Sequence, residues 1–223
     1  MAAATVRAVT EPAFLTSTRA SYDAFAADYA EHIHGWLATK PLDRGFLAGF
    51  AELVLAGGGG PVADVGCGTG QVTGHLHALG LDVSGIDLSP AMLAVARRIH
   101  PELRFTEGSM TALDIPDGTL AGLSACYSTI HVPDAQLPGV FAEFHRVVAP
   151  GGHVLLAFQV GDVPKHYAEA FGHTIALDFH RRRPGDVAGL LTQAGLPVIA
   201  RLLREPDASE STPQAYLIAT RPA

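Results

Sequence analysis

Between residues 62 and 160, short apolar runs take turns with stretches of helical periodicity, and this alternation limits the fold more than any other property of the chain. The runs fall at 62–65, 81–86, 103–106, 120–127 and 153–160. A helix is predicted to about Ala78 after the first. Ser89 and Pro90 form an N-cap and first-turn pair for another, with Met92, Val95, Ala96 and Ile99 on one face. Asp134–Val148 places Leu137, Val140, Phe141, Phe144 and Val147 inward and is expected to stop at "APGG". Strands alternating with helices in this way imply βαβ units and a parallel sheet covered on both faces.

The two ends of the chain read differently. Ser17 to about His34 is Ala-rich, with Tyr22, Phe25, Tyr29 and Ile33 at spacings of three and four, which predicts a helix with an aromatic stripe. A second helix is expected from Pro41 to Leu55, broken off by "AGGGGP". Near the other end, "PGDVAGLLTQAGL" reads as a helix stopped at Gly195. The strand-like runs 197–204 and 214–220 then follow with no helix between them, so the last strand should pair antiparallel through a hairpin. The expected division is one domain: a helical cap at 1–57, a core at 58–160, an insertion at 161–180 over one end of the sheet, and a helix with hairpin at 181–223.

With 48% hydrophobic and 17% charged residues among 223, the chain suits one domain with a sizeable core. A formal charge of -7 argues against a broad nucleic-acid or membrane surface, which requires clustered Lys and Arg facing phosphate. Cys67 and Cys126 lie inside predicted core elements and suit neither a disulfide framework nor zinc. The opening "MAAATVRAVTEPAFL" lacks a basic segment followed by a continuous apolar one, and no long apolar span occurs. These features predict a soluble, cytoplasmic monomer or homodimer acting on a small molecule.

"VADVGCGTGQVTG" stands where the first strand hands over to a helix. In an open parallel sheet, ligands bind beyond the carboxyl ends of the strands. Glycines there let the main chain approach a ligand closely, and helix N-terminal amides favour anionic groups. A dinucleotide fingerprint needs Gly-x-Gly-x-x-Gly, but Gly66, Gly68 and Gly70 follow Gly-x-Gly-x-Gly and Gln71 occupies the third glycine position. Asp64, just before the loop, would repel a pyrophosphate and suit an amine. "VSGIDLSPAML" ends a strand at Asp87, where a carboxylate can take both hydroxyls of a ribose, and Leu88 beside it can cover a flat base. One ligand with an amino acid end, a ribose and a purine satisfies all of these residues.

Together with "RFTEGSMTALDIPDG" and "FHRVVAPGGHVLLAF", these stretches resemble the successive motifs of class I S-adenosylmethionine-dependent methyltransferases, in particular the small-molecule branch of type 11/25. The resemblance covers residues 60–160 most fully. It implies a Rossmann-like α/β fold: a seven-stranded sheet, mostly parallel with an antiparallel last strand, helices on both faces and extra N-terminal helices. It also implies methyl transfer from S-adenosylmethionine to an oxygen or nitrogen of a small molecule, such as a secondary metabolite, with S-adenosylhomocysteine as product. By the same resemblance Gly66, Cys67, Gly68 and Gly70 line the methionine part of the cofactor and Asp64 bonds its amino group, directly or through water. Asp87 takes the ribose hydroxyls, and Leu88 and Met110 enclose the adenine. Ser109 stands where the family often has an aspartate and offers a hydroxyl acceptor without charge. Tyr22 and Tyr29 close over the cofactor, and Tyr127, ending the fourth strand, joins the lining.

His131, in "ACYSTIHVPD", falls on the loop where this fold places the methyl acceptor. Its ordinary pKa suits a general base, and equally it can be a loop histidine that packs or caps. His32, His34, His166, His173 and His180 flank the two less regular segments, and no pair has zinc-helix context, so no metal is assigned. Arg181, Arg182 and Arg183 read as a solvated patch or as a holder for an acidic substrate. Rival readings are a nicotinamide-dependent oxidoreductase, a nucleic-acid methyltransferase, which lacks the Asn/Asp-Pro-Pro-Tyr/Phe motif here, and a cofactor-binding protein without methyl transfer.

Overall fold

From Glu11 onward, the computed structural model describes residues 11–223; the leader reading made on residues 1–10 lies outside the described residues. The chain forms α1 (Ala13–His32), a 3-10 turn (Trp36–Thr39), α2 (Pro41–Ala56), β1 (Pro61–Val65), α3 (Gln71–Ala78), β2 (Asp82–Asp87) and α4 (Pro90–Ile99). It continues through β3 (Arg104–Glu107), β4 (Leu120–Cys126), a second 3-10 turn (Thr129–His131), α5 (Leu137–Val147), β5 (Val148–Gln159), β6 (Lys165–Ala170) and β7 (His173–Phe179). The last elements are α6 (Pro184–Gln193), β8 (Val198–Arg204) and β9 (Gln214–Thr220).

Seven strands build one sheet in the order β3-β2-β1-β4-β5-β9-β8. The five up to β5 run parallel, and β9 is antiparallel to both its neighbours. Side chains alternate between the faces, as the period of a strand requires. Val154, Leu156, Phe158, Leu217 and Ala219 meet α5 and α6 on one face, while Leu155 and Ile218 meet Leu47, Phe50 and Val54 of α2 on the other. Gly122 is what lets α2 lie directly on β4, since a Cβ there would come within 2.9 Å of both Phe50 and Val54. The strand order reverses between β1 and β4, which opens a crevice at their carboxyl ends.

Ser89 caps α4 as expected, accepting from the amide of Met92 at 3.1 Å. Several features differ from expectation, beginning with α1, which starts at Ala13 and not at Ser17. α5 starts at Leu137, because residues 134–136 form a turn closed by bonds back to Pro133 and Asp134. It has no glycine stop: Val148 turns straight into β5, and "APGG" lies inside that strand, where the register with β4 shifts between Leu120 and Gly122. The insertion is a hairpin, β6 paired antiparallel with β7, whose turn residues Phe171 and Gly172 have φ of 51° and 78°. Such a mirror-image turn matches the strand twist. Mostly exposed β6 residues hide the strand signal.

Candidate functional site

A cleft of about 560 Å³ opens at the carboxyl ends of β1, β2 and β4, within the roughly 300–1,000 Å³ typical of small-molecule sites. α1 covers it from one side, and the Trp36–Thr39 turn with the loop before β9 closes the far end. Among the described residues no helix is long and apolar enough to cross a membrane.

The glycine loop forms the floor. The amides of Gly66 and Cys67 both donate to the Ile86 carbonyl, at 2.7 and 3.1 Å, which pins the loop against the end of β2. Gly66 has φ +76°, and a Cβ there would sit 2.2 Å from that of Ser128. Only glycine fits. Gly70 does not line the cleft; with φ +82° it turns the chain into α3 against His100 and Phe105. Thr69 does line it, and its buried hydroxyl has no partner among the described residues.

Asp87 faces the cleft from the tip of β2. Its carboxylate accepts from the amides of Gly68 at 2.7 Å and Ser89 at 2.9 Å, joining the two loops. Burial raises its pKa against those two bonds. Asp64 lies beneath the loop, 1% exposed, and accepts from Thr73 Oγ1 and Ser124 Oγ, both at 2.7 Å. Burial lifts it to about 6, opposed by the two hydroxyls. Both oxygens thus serve an internal network, so a direct bond to a ligand amine can use only their remaining lone pairs.

Leu88 and Met110 line the cleft together, with Cys67, whose thiol burial pushes up. Ser109 does not. Its hydroxyl is turned to Thr111, whose amide donates to it at 3.2 Å, so a bond to a base can use only its remaining lone pair. Tyr29 lines the cleft from α1 and is pushed up to about 12 by burial and then by Asp87. Tyr127 lines it with φ 54°, its hydroxyl 3.1 Å from that of Tyr216.

His131 sits at the end of its 3-10 turn, 9% exposed, and not on an open loop. Its Nδ1 is 3.1 Å from the carbonyl of Asp178 in β7, and its Nε2 is 2.9 Å from the hydroxyl of Tyr22 in α1. A carbonyl only accepts, so Nδ1 carries the hydrogen, Nε2 holds the lone pair and Tyr22 donates. Burial holds the imidazole at about 4, against the Asp178 bond and helped by His180. The ring is neutral at pH 7. Burial also pushes the Tyr22 phenol well up, so it stays protonated.

Several lining residues carry no sequence signal. Lys40, 4% exposed, binds Asp207 and Glu210. Arg204 binds Asp43 at 2.6 Å and shares Glu210. Burial opposes ionisation of Glu210, but Arg204 and Lys40 override it and hold the carboxyl at about 2. Lys40, Ser209 and Glu210 wall the far end, brought there from regions remote in sequence. Arg182 is no solvated patch: it binds Asp134 and the carbonyls of Thr129 and Val132, fixing the turn that carries His131.

Residues 62–152 match the family model described as a methyltransferase domain. The malonyl-[acyl-carrier protein] O-methyltransferase of Serratia marcescens is 31% identical over 141 residues, 61% of this chain and 48% of that protein. The demethylmenaquinone methyltransferase of Thermus thermophilus is 33% identical over 129 residues, 55% of this chain and 56% of that protein. The chain therefore spans about half the length of these curated relatives. A solved DhpI–SAH complex has a TM-score of 0.71 at 23% identity, covering 94% of this chain and 97% of that one, a likeness of fold.

Proposed function

We propose that this chain, whose core is that of a class I S-adenosylmethionine-dependent methyltransferase, transfers a methyl group to an oxygen or nitrogen of a small molecule, a secondary metabolite for example. The observation that carries this reading is convergence in one cleft: Asp87 and the glycine loop on the floor, the Tyr22–His131 pair on the covering wall. The residues fit the cofactor. Asp87 keeps lone pairs for a ribose diol, Thr69 offers a hydroxyl that has no partner among the described residues, and bare backbone at Gly66 and Gly68 admits the amino acid end. When bound, S-adenosylmethionine supplies an electrophilic methyl on a sulfonium. The protein's part is then alignment and exclusion of water.

In this reading Asp64 holds negative charge beneath the amino acid end, Leu88 and Met110 enclose the base, and Tyr29 and Tyr127 bound the reaction space. Residues 58–160 hold the cofactor, while the leading helices and the 161–180 hairpin meet the acceptor. The O-methyltransferase among the relatives supports an oxygen acceptor. A cytoplasmic setting, in keeping with the free Cys67 and Cys126, and a monomer or homodimer complete the reading.

Calorimetric titration with S-adenosylhomocysteine tests it. Wild type should bind, and Asp87→Ala, which removes a charged partner of a sugar diol, should weaken binding by about 1.5–3 kcal/mol, or at least tenfold. Equal binding by both proteins, or none by wild type, would end the reading. Product formation across an acceptor panel separates an enzyme from a protein that only binds the cofactor.

A further inference from the structure

We infer that Tyr22, and not His131 directly, takes the proton of the methyl acceptor, that His131 positions Tyr22 and receives its proton, and that the acceptor is accordingly a hydroxyl on an apolar skeleton. This rests on the methyl-transfer reading above. Both ring nitrogens of His131 are engaged, Nδ1 by the Asp178 carbonyl and Nε2 by Tyr22, so an acceptor reaches the imidazole only through the phenol. Tyr22 has its one hydrogen committed to Nε2 and offers lone pairs alone. Its partner must therefore donate. A hydroxyl or an amine does so, whereas a carboxylate would bring further lone pairs against them; of the two donors the hydroxyl is the one that needs a base, because an uncharged amine is nucleophilic without losing its proton. The walls suit an apolar body: Phe14, Leu15, Ile130, Val132 and Phe179 line the same cleft, and the Phe179 ring stands 5.0 Å from that of His131.

The step balances as follows. As the acceptor oxygen's lone pair forms the bond to the methyl carbon, the carbon–sulfur bond breaks and its electron pair stays on sulfur. The acceptor's proton passes to the Tyr22 oxygen, and the Tyr22 proton passes to Nε2 of His131. A methyl ether remains, and the positive charge rests on an imidazolium until product release lets water remove the proton. The acceptor oxygen becomes strongly acidic only while the new bond forms, so a weakly basic buried imidazole is sufficient.

The test uses phenol, 4-cyanophenol and 4-nitrophenol as acceptors at neutral pH, with benzoate as the carboxylate control. Tyr22→Phe should slow methylation of phenol by roughly 10²–10⁴-fold and that of 4-nitrophenol, a far stronger acid that is partly ionised at neutral pH, far less, with S-adenosylhomocysteine affinity changed by less than about threefold. His131→Ala should show the same dependence on acceptor acidity. Equal slowing of all three phenols means a merely structural role and overturns the relay. Preference for benzoate, failure to methylate any phenol, or affinity falling in step with turnover also overturns it. Nitrogen NMR of His131 without acceptor should show hydrogen on Nδ1; hydrogen on Nε2 overturns the proposal independently of turnover. Loss of S-adenosylhomocysteine binding by wild type would instead mark failure of the methyl-transfer reading itself.

Discussion

Gly66 shows how narrowly one backbone position is held. Ser128, the side chain a Cβ would strike, is tied to the Val65 carbonyl at 2.7 Å and cannot simply turn away. Gly66→Ala should cost about 1–3 kcal/mol for overpacking, with roughly 1–2 kcal/mol more for the left-handed backbone, and should abolish S-adenosylhomocysteine binding. Denaturant titration reads the first and calorimetry the second; a variant as stable as wild type would show that the loop yields. His131 makes a pH prediction. Its folded pKa of about 4 lies below the ordinary 6.5, so the unfolded chain binds more protons between those values. The stability it contributes is complete above pH 6.5 and lost as pH falls through 4, on the order of 3 kcal/mol. Asp64 acts in the opposite sense: its raised pKa of about 6 means a contribution present below 3.8 and lost as pH rises through 6. Replacing His131 by Phe should flatten the acid side of the stability curve, and Asp64→Asn should remove the decline between pH 4 and 6. Thermal unfolding across pH reads both.

At the scale of elements, α1 and the β6–β7 hairpin form one cover. Ser17 and Ser21 both donate to the Ala176 carbonyl, and Ser21 also accepts the Ala176 amide at 3.1 Å. Asp23 reaches the other way, accepting from Ser89 Oγ and the Ala91 amide at the start of α4. The His173–Asp28 pair is largely exposed and contributes little. Ser21→Ala removes a buried partner of β7, so amide hydrogen exchange over 173–179 should quicken while β1, β4 and β5 keep their protection. Exchange unchanged in β7 would mean that packing of Ile175 and Leu177 alone holds the hairpin. The coupling has a functional consequence, because the Asp178 carbonyl that orients His131 belongs to this hairpin.

For the whole molecule, a ligand that joins the β1, β2 and β4 loops to α1 binds the folded state alone. Saturation at 100 times the dissociation constant should add about 2.7 kcal/mol, raising the melting temperature of a chain this size by roughly 5–10 °C; scanning calorimetry with and without S-adenosylhomocysteine checks it. The alternation of apolar runs and helical stretches determined the order of elements, the parallel sheet and the antiparallel last strand, because periodicity and turn residues act over a few neighbours. The glycine loop and Asp87 were legible for the same reason: a strand end, a tight turn and a helix start are consecutive in the chain. What only the tertiary structure decided is how residues far apart meet. Ser109 turns away from the cleft although its place in the motif pointed to it, and Lys40 and Glu210 enter although neither stood out. Tyr22 and His131 touch across 109 positions. Burial and pairing of such groups depend on how the layers close over the sheet, and no local pattern carries that geometry.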